Sequence, residues 1–340
     1  MAEQNLIERL DAAIDAILAG RREGLAAAEP ELAQMLVIAG DLAGLPDPEF
    51  KRTLRADLAG DQEAQMTVAE AASVQTLIPY LVVDGADGVI DFLKKAFDAE
   101  LRMRVERPDG SVMHAQVGLF GSALEVADAR PGDPTNKSAV HLYIPDVDRW
   151  YERALRAGAT SIGELKDQAY GDREGSVRDA WGNDWYLATH QENVSEAELM
   201  LRFAGKGSTP RRDPAVGPVP EGWRNLIPFI HAAGAERQIE FLTRALGAEQ
   251  LERTPGPDGK ILHATLRLGD STIELSEARG EWKPNPMHFH VYVSNVDDAY
   301  KRALREGGSS VFAPGDMPYG ERMACVADAG GNQWYLAKLL

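Results

Sequence analysis

The chain has 340 residues, 44% of them hydrophobic and 26% charged, enough to bury two ordinary cores plus a smaller element. A formal net charge of -17 opposes binding to a polyanion, since nucleic-acid recognition draws on clustered Lys and Arg, and no long basic stripe is present. No apolar run is long enough to span a bilayer, and the N-terminus lacks a basic start ahead of an apolar core and cleavage site, so a cytoplasmic protein with no membrane and no nucleic-acid partner is expected.

Residues 1–70 read as an N-terminal helical segment. Leu6, Leu10, Ala13, Ile14, Ile17 and Leu18 share one face at helical spacing, and Gly20 and Gly24 then punctuate. Pro30 suits a first helical turn ahead of the stripe Leu32, Met35, Leu36, Ala39 and Leu42. Asp47 caps a third helix that Pro48 begins and that presents Phe50, Leu54 and Leu58. Such helices either cover part of the remaining chain or dock a protein partner, and both readings stay open.

The rest of the chain is one unit carried twice. Residues Ile78 to Ala188 recur as Ile227 to Ala337 at a constant offset of 149 positions, without insertion or deletion. Ile78-Pro79-Tyr80 meets Ile227-Pro228-Phe229, Tyr170-Gly171-Asp172-Arg173 meets Tyr319-Gly320-Glu321-Arg322, and Trp185-Tyr186-Leu187-Ala188 meets Trp334-Tyr335-Leu336-Ala337. A repeat of this length is a whole domain, which gives units at 75–190 and 224–340. The segment 191–223 between them starts as a helix and turns into a linker rich in Gly, Pro and Ser.

Within the first copy, Thr76 to Val83 reads as a strand, Val89 to Phe97 as a helix, and Leu101 to Glu106 and Val112 to Leu119 as strands around a Pro-Asp-Gly turn. Ala123 to Ala127 closes the first half. Ala139 to Ile144 is then a strand, Asp148 to Ala157 a helix stopped by Gly158, and Ser176 to Arg178 and Trp185 to Thr189 strands around Trp181-Gly182-Asn183. Each copy is thus two βαβββ modules. The lone Cys325 excludes an internal disulfide and is expected to be a small buried hydrophobe.

The Pro-bearing first strand, the Asp/Glu-Phe-Leu helix, the His-containing and Glu-containing strands, and the Gly-Asp/Glu-Arg to Asp-x-x-Gly-Asn-x-Trp finish resemble the vicinal oxygen chelate superfamily of glyoxalases, bleomycin-resistance proteins and dioxygenases. Within it the chain looks closest to the PhnB-like subgroup. The resemblance spans Leu77 to Thr189 and Leu226 to Leu339. It implies an α+β fold of two tandem glyoxalase-like domains whose paired modules form cupped sheets. It also implies one divalent ion per cup (Zn, Ni, Fe, Mn or Co), or, as in sequestering relatives, a metal-free aromatic cup.

Carried over residue by residue, the fourth-strand acid matches Glu125 and Glu274. The first-strand ligand falls near Ile78 or Pro79 and near Ile227 or Pro228, which cannot bind a metal. The second-module ligand falls on Ala139 in one copy and His288 in the other, and the last-strand acid is replaced by Tyr186 and Tyr335. Hairpin arithmetic places Gln116 opposite Glu125 with His114 beside it, and Thr265 opposite Glu274 with His263 beside it. His288 and His290 share a strand face, so the second copy could gather Glu274, His288 and His290 on a metal, with Glu274 and His288 as the catalytic pair. His141, Tyr186 and Tyr335 complete the candidate ligand wall. Arg173 and Arg322 could clamp an anionic ligand group or form structural ion pairs with Asp179 and Asp328. If modules exchange between copies, Glu125 faces His288, and Glu274 faces the strand of Ala139 and His141.

Three functions follow: a cup that binds or sequesters a small hydrophobic molecule, a divalent-metal-dependent lyase, isomerase or dioxygenase, and a scaffold acting through its N-terminal helices. No P-loop, dinucleotide fingerprint or Ser-His-Asp order is persuasive in the sequence.

Overall fold

A computed structural model describes residues 75–340 apart from Pro257, so the expected N-terminal helices and their docking role lie outside the described residues. The first repeat supplies β1 (Leu77–Val83), α1 (Ala86–Phe97), β2 (Glu100–Glu106), β3 (Val112–Leu119), β4 (Ser122–Asp128), β5 (Ala139–Tyr143), α2 (Val147–Arg156), β6 (Thr160–Asp167), β7 (Asp172–Arg178) and β8 (Asp184–His190). A short helix, α3 (Glu196–Phe203), stands in the linker. The second repeat supplies β9 (Leu226–Ala232), α4 (Ala235–Phe241), β10 (Glu249–Pro255), β11 (Ile261–Leu268), β12 (Ser271–Glu277), β13 (His288–Tyr292), α5 (Val296–Arg305), β14 (Ser309–Met317), β15 (Glu321–Ala327) and β16 (Gln333–Leu339).

These strands form two eight-stranded sheets, and each takes one half from each repeat. One runs β14-β15-β16-β13-β1-β4-β3-β2, the other β10-β11-β12-β9-β5-β8-β7-β6. The modules are therefore exchanged. The seams are the antiparallel pairs of β1 with β13, from Leu77 opposite Val291 to Tyr80 opposite His288, and of β5 with β9, from Val140 opposite Pro228 to Leu142 opposite Leu226. Both ladders are short, and prolines stand in both: a residue without an N–H cannot extend a ladder on its own side.

Past the first seam, side chains from the inter-module connection take over the pairing of β1. Asn136 accepts from the Val82 N–H at 2.7 Å and donates to the Tyr80 carbonyl at 2.8 Å. Asn285 does the same for β9, accepting from the His231 N–H at 2.6 Å and donating to the Phe229 carbonyl at 3.1 Å. A buried backbone group must find a partner, and by supplying one here the connection occupies the edge on which its own second module would otherwise pair.

Period-two alternation sorts each strand. Leu81, Leu124, Val126, Val140, Leu142, Phe289, Val291, Trp185, Leu187, Trp334 and Leu336 point into one continuous apolar core with the helices. Their neighbours Tyr80, Glu125, His141, His288, His290, Tyr186 and Tyr335 therefore point to the other face. The helices stay with their own repeat: Arg153 on α2 binds Asp98 just past α1, with N–O distances of 2.7 and 2.5 Å, and the Lys95 carbonyl at 2.8 Å. Phe120, at positive φ in the two-residue β3–β4 turn, is held there by edge-on packing against Trp150 at 5.0 Å. Cys325 is fully buried, and burial pushes its thiol up to about 12, consistent with an inert core position.

Each Asp-x-x-Gly-Asn-x-Trp finish is a closed hydrogen-bond knot. The Asp179 carboxylate accepts from the N–H groups of Trp181 (3.0 Å) and Asn183 (2.9 Å), from the Asn183 amide (2.9 Å) and from the Trp185 indole (3.1 Å). Asp328 repeats this with Gly330, Asn332 and Trp334. These aspartates are thus committed to the turn, and the expected ion pairs of Arg173 and Arg322 form elsewhere. Asp179→Ala leaves several buried donors without an acceptor, so it is expected to lower stability by about 3 kcal/mol, read from urea unfolding followed by tryptophan fluorescence.

Candidate functional site

The polar face of each sheet gathers a buried acid from one repeat and a histidine from the other. In the β9–β12/β5–β8 sheet, Glu274 is 3% exposed, and its Oε2 lies 3.0 Å from His141 Nδ1. In the β1–β4/β13–β16 sheet, Glu125 is 1% exposed, and its two oxygens lie 3.1 and 3.2 Å from His290 Nδ1. The flanking hairpins hold the expected registers, Gln116 opposite Glu125 and Thr265 opposite Glu274. That brings His114 Nε2 to 3.9 Å from Glu125 and His263 Nε2 to 3.4 Å from Glu274.

A second acid stands on the far side of each central imidazole. Glu174 on β7 lies 3.8 Å from His141 Nε2 and accepts from the Tyr170 hydroxyl at 2.7 Å. Glu321 on β15 lies 3.7 Å from His290 Nε2 and accepts from the Tyr292 hydroxyl at 2.8 Å. Both gaps are too wide for a direct hydrogen bond. Nε2 of His141 and Nε2 of His290 are consequently buried polar atoms with no partner among the described residues. The two acids do not occupy matching positions. Position 174 corresponds to Met323, while position 321 corresponds to Asp172, which accepts from the Tyr143 hydroxyl at 2.8 Å and lies 2.7 Å from His190 Nδ1. In the second sheet the longer Glu321 side chain reaches tyrosine and histidine together.

The electrostatics follow from this geometry. Burial alone would pull the His141 imidazole down, but the Glu274 charge and hydrogen bond, with Glu174 and Asp172 behind them, outweigh it and carry it up to about 9. Burial would raise Glu274, and the two histidines against it reverse that, holding it well below the usual carboxylate range. Burial raises Glu174, opposed by His141 and Tyr170. His290 is raised by Glu125 and Glu321 against its own burial, and His263 by Glu274 against its own. At neutral pH the Glu274 centre is an imidazolium wedged between two acids, and the His290 centre is shifted in the same direction by the same kind of neighbours.

An aromatic wall flanks each centre. Phe229 pairs with Glu274 in register, and Tyr186 stands opposite His141. The Tyr186 hydroxyl lies 2.9 Å from His231 Nε2, and His231 stacks on Trp282 at 5.4 Å. In the other sheet Tyr80 pairs with Glu125 and packs edge-on against His114 at 5.6 Å and Tyr335 at 5.7 Å. His288 lies 6.1 Å from Tyr335, and burial pulls it down to about 4, so it is neutral. One end of the Glu274 face is covered by the linker, whose Val219 and Trp223 pack on Tyr143, Ala188 and Ile227.

Several expected placements change. Glu274 lies in one sheet and His288 and His290 in the other, so the set Glu274, His288 and His290 is not assembled, because the modules exchange. The histidine that meets each acid sits two residues past the expected position, at His141 and His290 rather than Ala139 and His288. The first-strand residues beside the acids are Tyr80 and Phe229, not Ile78, Pro79, Ile227 or Pro228. Arg173 is bound by Asp148 at 2.7 and 2.6 Å and by Asp167 at 3.2 Å, and Arg322 by Asp297 at 2.6 and 2.9 Å and by Asp316 at 2.7 Å. Neither guanidinium is free to clamp a ligand. Glu174, Glu321, Tyr170, Tyr292 and His231 were not singled out from sequence; the alternation Asp172-Arg173-Glu174 is the signal that places two acids on one strand face.

A resident divalent ion would have to be held by the central side chains of each face. Each face supplies one Glu and one His at the four central positions, and the other two positions are aromatic: Phe229 with Tyr186, and Tyr80 with Tyr335. Catalytic zinc ordinarily needs three protein ligands, and among the described residues no group of three His, Cys, Asp or Glu is disposed to hold an ion. The residues do not fit a resident metal.

Comparison with known proteins agrees with this architecture. The profile of the Glyoxalase/Bleomycin resistance protein/Dioxygenase superfamily matches residues 72–187 and 230–336. An uncharacterised Mycobacterium tuberculosis protein is 38% identical over 142 residues, 38% of this chain and 84% of the relative. A Neisseria meningitidis protein named lactoylglutathione lyase is 30% identical over 118 residues, 32% of this chain and 85% of the relative. The crystal structure of glyoxalase I from Zea mays aligns with a TM-score of 0.54 at 18% identity, over 77% of this chain and 92% of that one, a likeness of fold. With both repeats matched, the chain belongs to the glyoxalase/bleomycin resistance protein/dioxygenase superfamily.

Proposed function

We propose that the protein binds a small, flat, oxygen-bearing molecule on each of its two composite sheet faces, using an imidazolium rather than a metal ion as the electrophilic anchor. The observation that carries this reading is the buried Nε2 of His141 and of His290, which has no partner among the described residues. A native protein rarely leaves such a donor unused. It stands 3.7 to 3.8 Å from a second acid, beyond direct hydrogen-bond reach, so its N–H is left for a ligand oxygen to accept. The aromatic side chains beside each centre supply the apolar surface for the flat part of the ligand.

A second reading, a divalent-metal-dependent lyase, takes its support from the Neisseria relative named lactoylglutathione lyase. The two aromatic positions in each face speak against it.

Three results check this. A fluorinated aryl ketone, 4-fluoroacetophenone, is expected to bind saturably by fluorine NMR, and 4-fluorotoluene, which lacks the carbonyl, at least about tenfold more weakly. The double substitution His141→Gln and His290→Gln replaces each imidazolium with a neutral amide whose two N–H groups have the two flanking acids to bond, and is expected to erase that difference; equal binding of both probes to the wild-type chain rejects the anchor.

Binding of the ketone is expected to be level across neutral pH and to fall as pH rises through about 9 at the Glu274 face, where His141 loses its proton. The same titration has a stability counterpart. A histidine raised in the folded state contributes stability fully below its ordinary value of 6.5 and loses it as pH climbs through the folded value. Glu274, held low, contributes above its ordinary 4.5 and loses that in strong acid. Unfolding midpoints across pH 3 to 10 should therefore peak between those two ordinary values and decline on both sides.

Elemental analysis after dialysis against zinc or nickel, then metal-free buffer, is expected to give less than one ion per chain, unchanged by Glu274→Gln. A stoichiometric ion lost on that substitution favours the lyase reading.

A further inference from the structure

Away from both polar faces, the two repeats differ at a junction where a turn of one sheet meets a helix of the other. In the first repeat Trp181, in the β7–β8 turn, lies across the start of α1, and its indole N–H donates to the Asp84 carbonyl at 2.9 Å. The ring lies so close to Gly88 that a Cβ there would come within 2.5 Å of it. Only glycine admits the indole.

The second repeat keeps the backbone and drops the plug. Gly330 replaces Trp181, and its N–H still donates to Asp328 at 2.9 Å, as the Trp181 N–H does to Asp179 at 3.0 Å. Arg237 replaces Gly88, and its guanidinium donates to the carbonyl of Ala233, the counterpart of Asp84, at 3.3 Å. Where the indole would lie there is a cavity of about 320 Å³. Phe241 and the buried Gln238 line it, Arg237, Arg244 and Arg305 edge it, and Gly330 opens it. This size falls at the lower end of small-molecule sites, which begin near ~300 Å³.

We infer that this cleft is a second kind of binding site, one that takes a planar heteroaromatic ring of about indole size. The first repeat shows the same turn and helix holding such a ring, with an N–H directed at the same backbone carbonyl. In the second repeat Arg237 stands at that carbonyl, where its guanidinium plane can stack on an incoming ring. The rim carries both signs, with Arg244 3.6 Å from Glu240 and with Glu306 also on the edge, so shape rather than net charge selects the occupant. The site shares no residue with either Glu–His centre and stands or falls apart from their proposed role.

The test uses the full chain and 5-fluoroindole, followed by fluorine NMR. Saturable binding is expected, and the triple substitution Arg237→Gly, Gln238→Val and Gly330→Trp, which installs the residues of the first repeat, should weaken it by at least about tenfold. A milder filling, Gly330→Leu, is made alongside it in case the triple variant folds poorly. The His141→Gln and His290→Gln variant should bind 5-fluoroindole as the wild type does. Undiminished binding in either folded cleft variant, loss of binding in the histidine variant, or no saturable binding up to the solubility limit of the probe would overturn the assignment.

Discussion

Two short antiparallel ladders, β1 on β13 and β5 on β9, determine what every other part of this molecule can do. Had each repeat closed on itself, Glu125 would share a face with His141, and Glu274 with His288 and His290. The seams instead carry each acid to the histidine of the other repeat. Sequence identity between the copies makes both pairings compatible with the same strands, so the choice falls to what lies between modules. Asn136 and Asn285 occupy the free backbone edge next to each seam, and the helices of one repeat remain packed together while its sheets part.

A consequence is that neither face can be altered by changing one repeat alone. The Glu274 face takes its carboxylate, His263 and Phe229 from the second repeat and its imidazole, Glu174 and Tyr186 from the first. Burying three ionisable groups together is costly unless charges are paired and lone pairs met. Here Nδ1 of the imidazole meets one acid, a tyrosine hydroxyl meets the other, and Nε2 stays without a partner among the described residues. Positions 172, 174, 321 and 323 reach that outcome by different routes. Asp172 accepts from Tyr143 while Glu174 stands beside His141; Glu321 both accepts from Tyr292 and stands beside His290, and Met323 can be apolar.

Much of this was legible in the residues. The constant-offset repeat delivered the βαβββ modules, and hairpin spacing delivered the pairing of Gln116 with Glu125 and Thr265 with Glu274. Alternation separated Trp185 and Trp334, which are core, from Tyr186 and Tyr335, which face the site. The residues left pairing within a copy and exchange between copies both open, because strand pairing between equivalent partners depends on connections that carry no periodic signal. The histidine position slipped by two for a related reason: a shift of two keeps a residue on the same strand face, so facing alone cannot tell His288 from His290. Arg173 and Arg322 were misassigned because Asp148 and Asp297, their partners 25 residues upstream, start helices that only packing brings over the sheet.

The constant and variable parts of the two faces separate cleanly. An acid, an imidazole whose Nε2 has no partner among the described residues, and a second acid recur in both, although the second acid comes from non-matching positions. The neighbouring neutral histidine also recurs without matching: His231 on β9 beside Tyr186, and His288 on β13 beside Tyr335, while the counterparts of those histidines are Val82 and Ala139. Geometry that is rebuilt from different positions is harder to attribute to inheritance alone than geometry that is copied. The aromatic wall, by contrast, differs in composition, with Phe229, Tyr186 and Trp282 on one side and Tyr80 and Tyr335 on the other. If the polar centre grips an oxygen, discrimination between ligands resides in those walls, and the two faces of one chain are equipped to hold different molecules by the same proton.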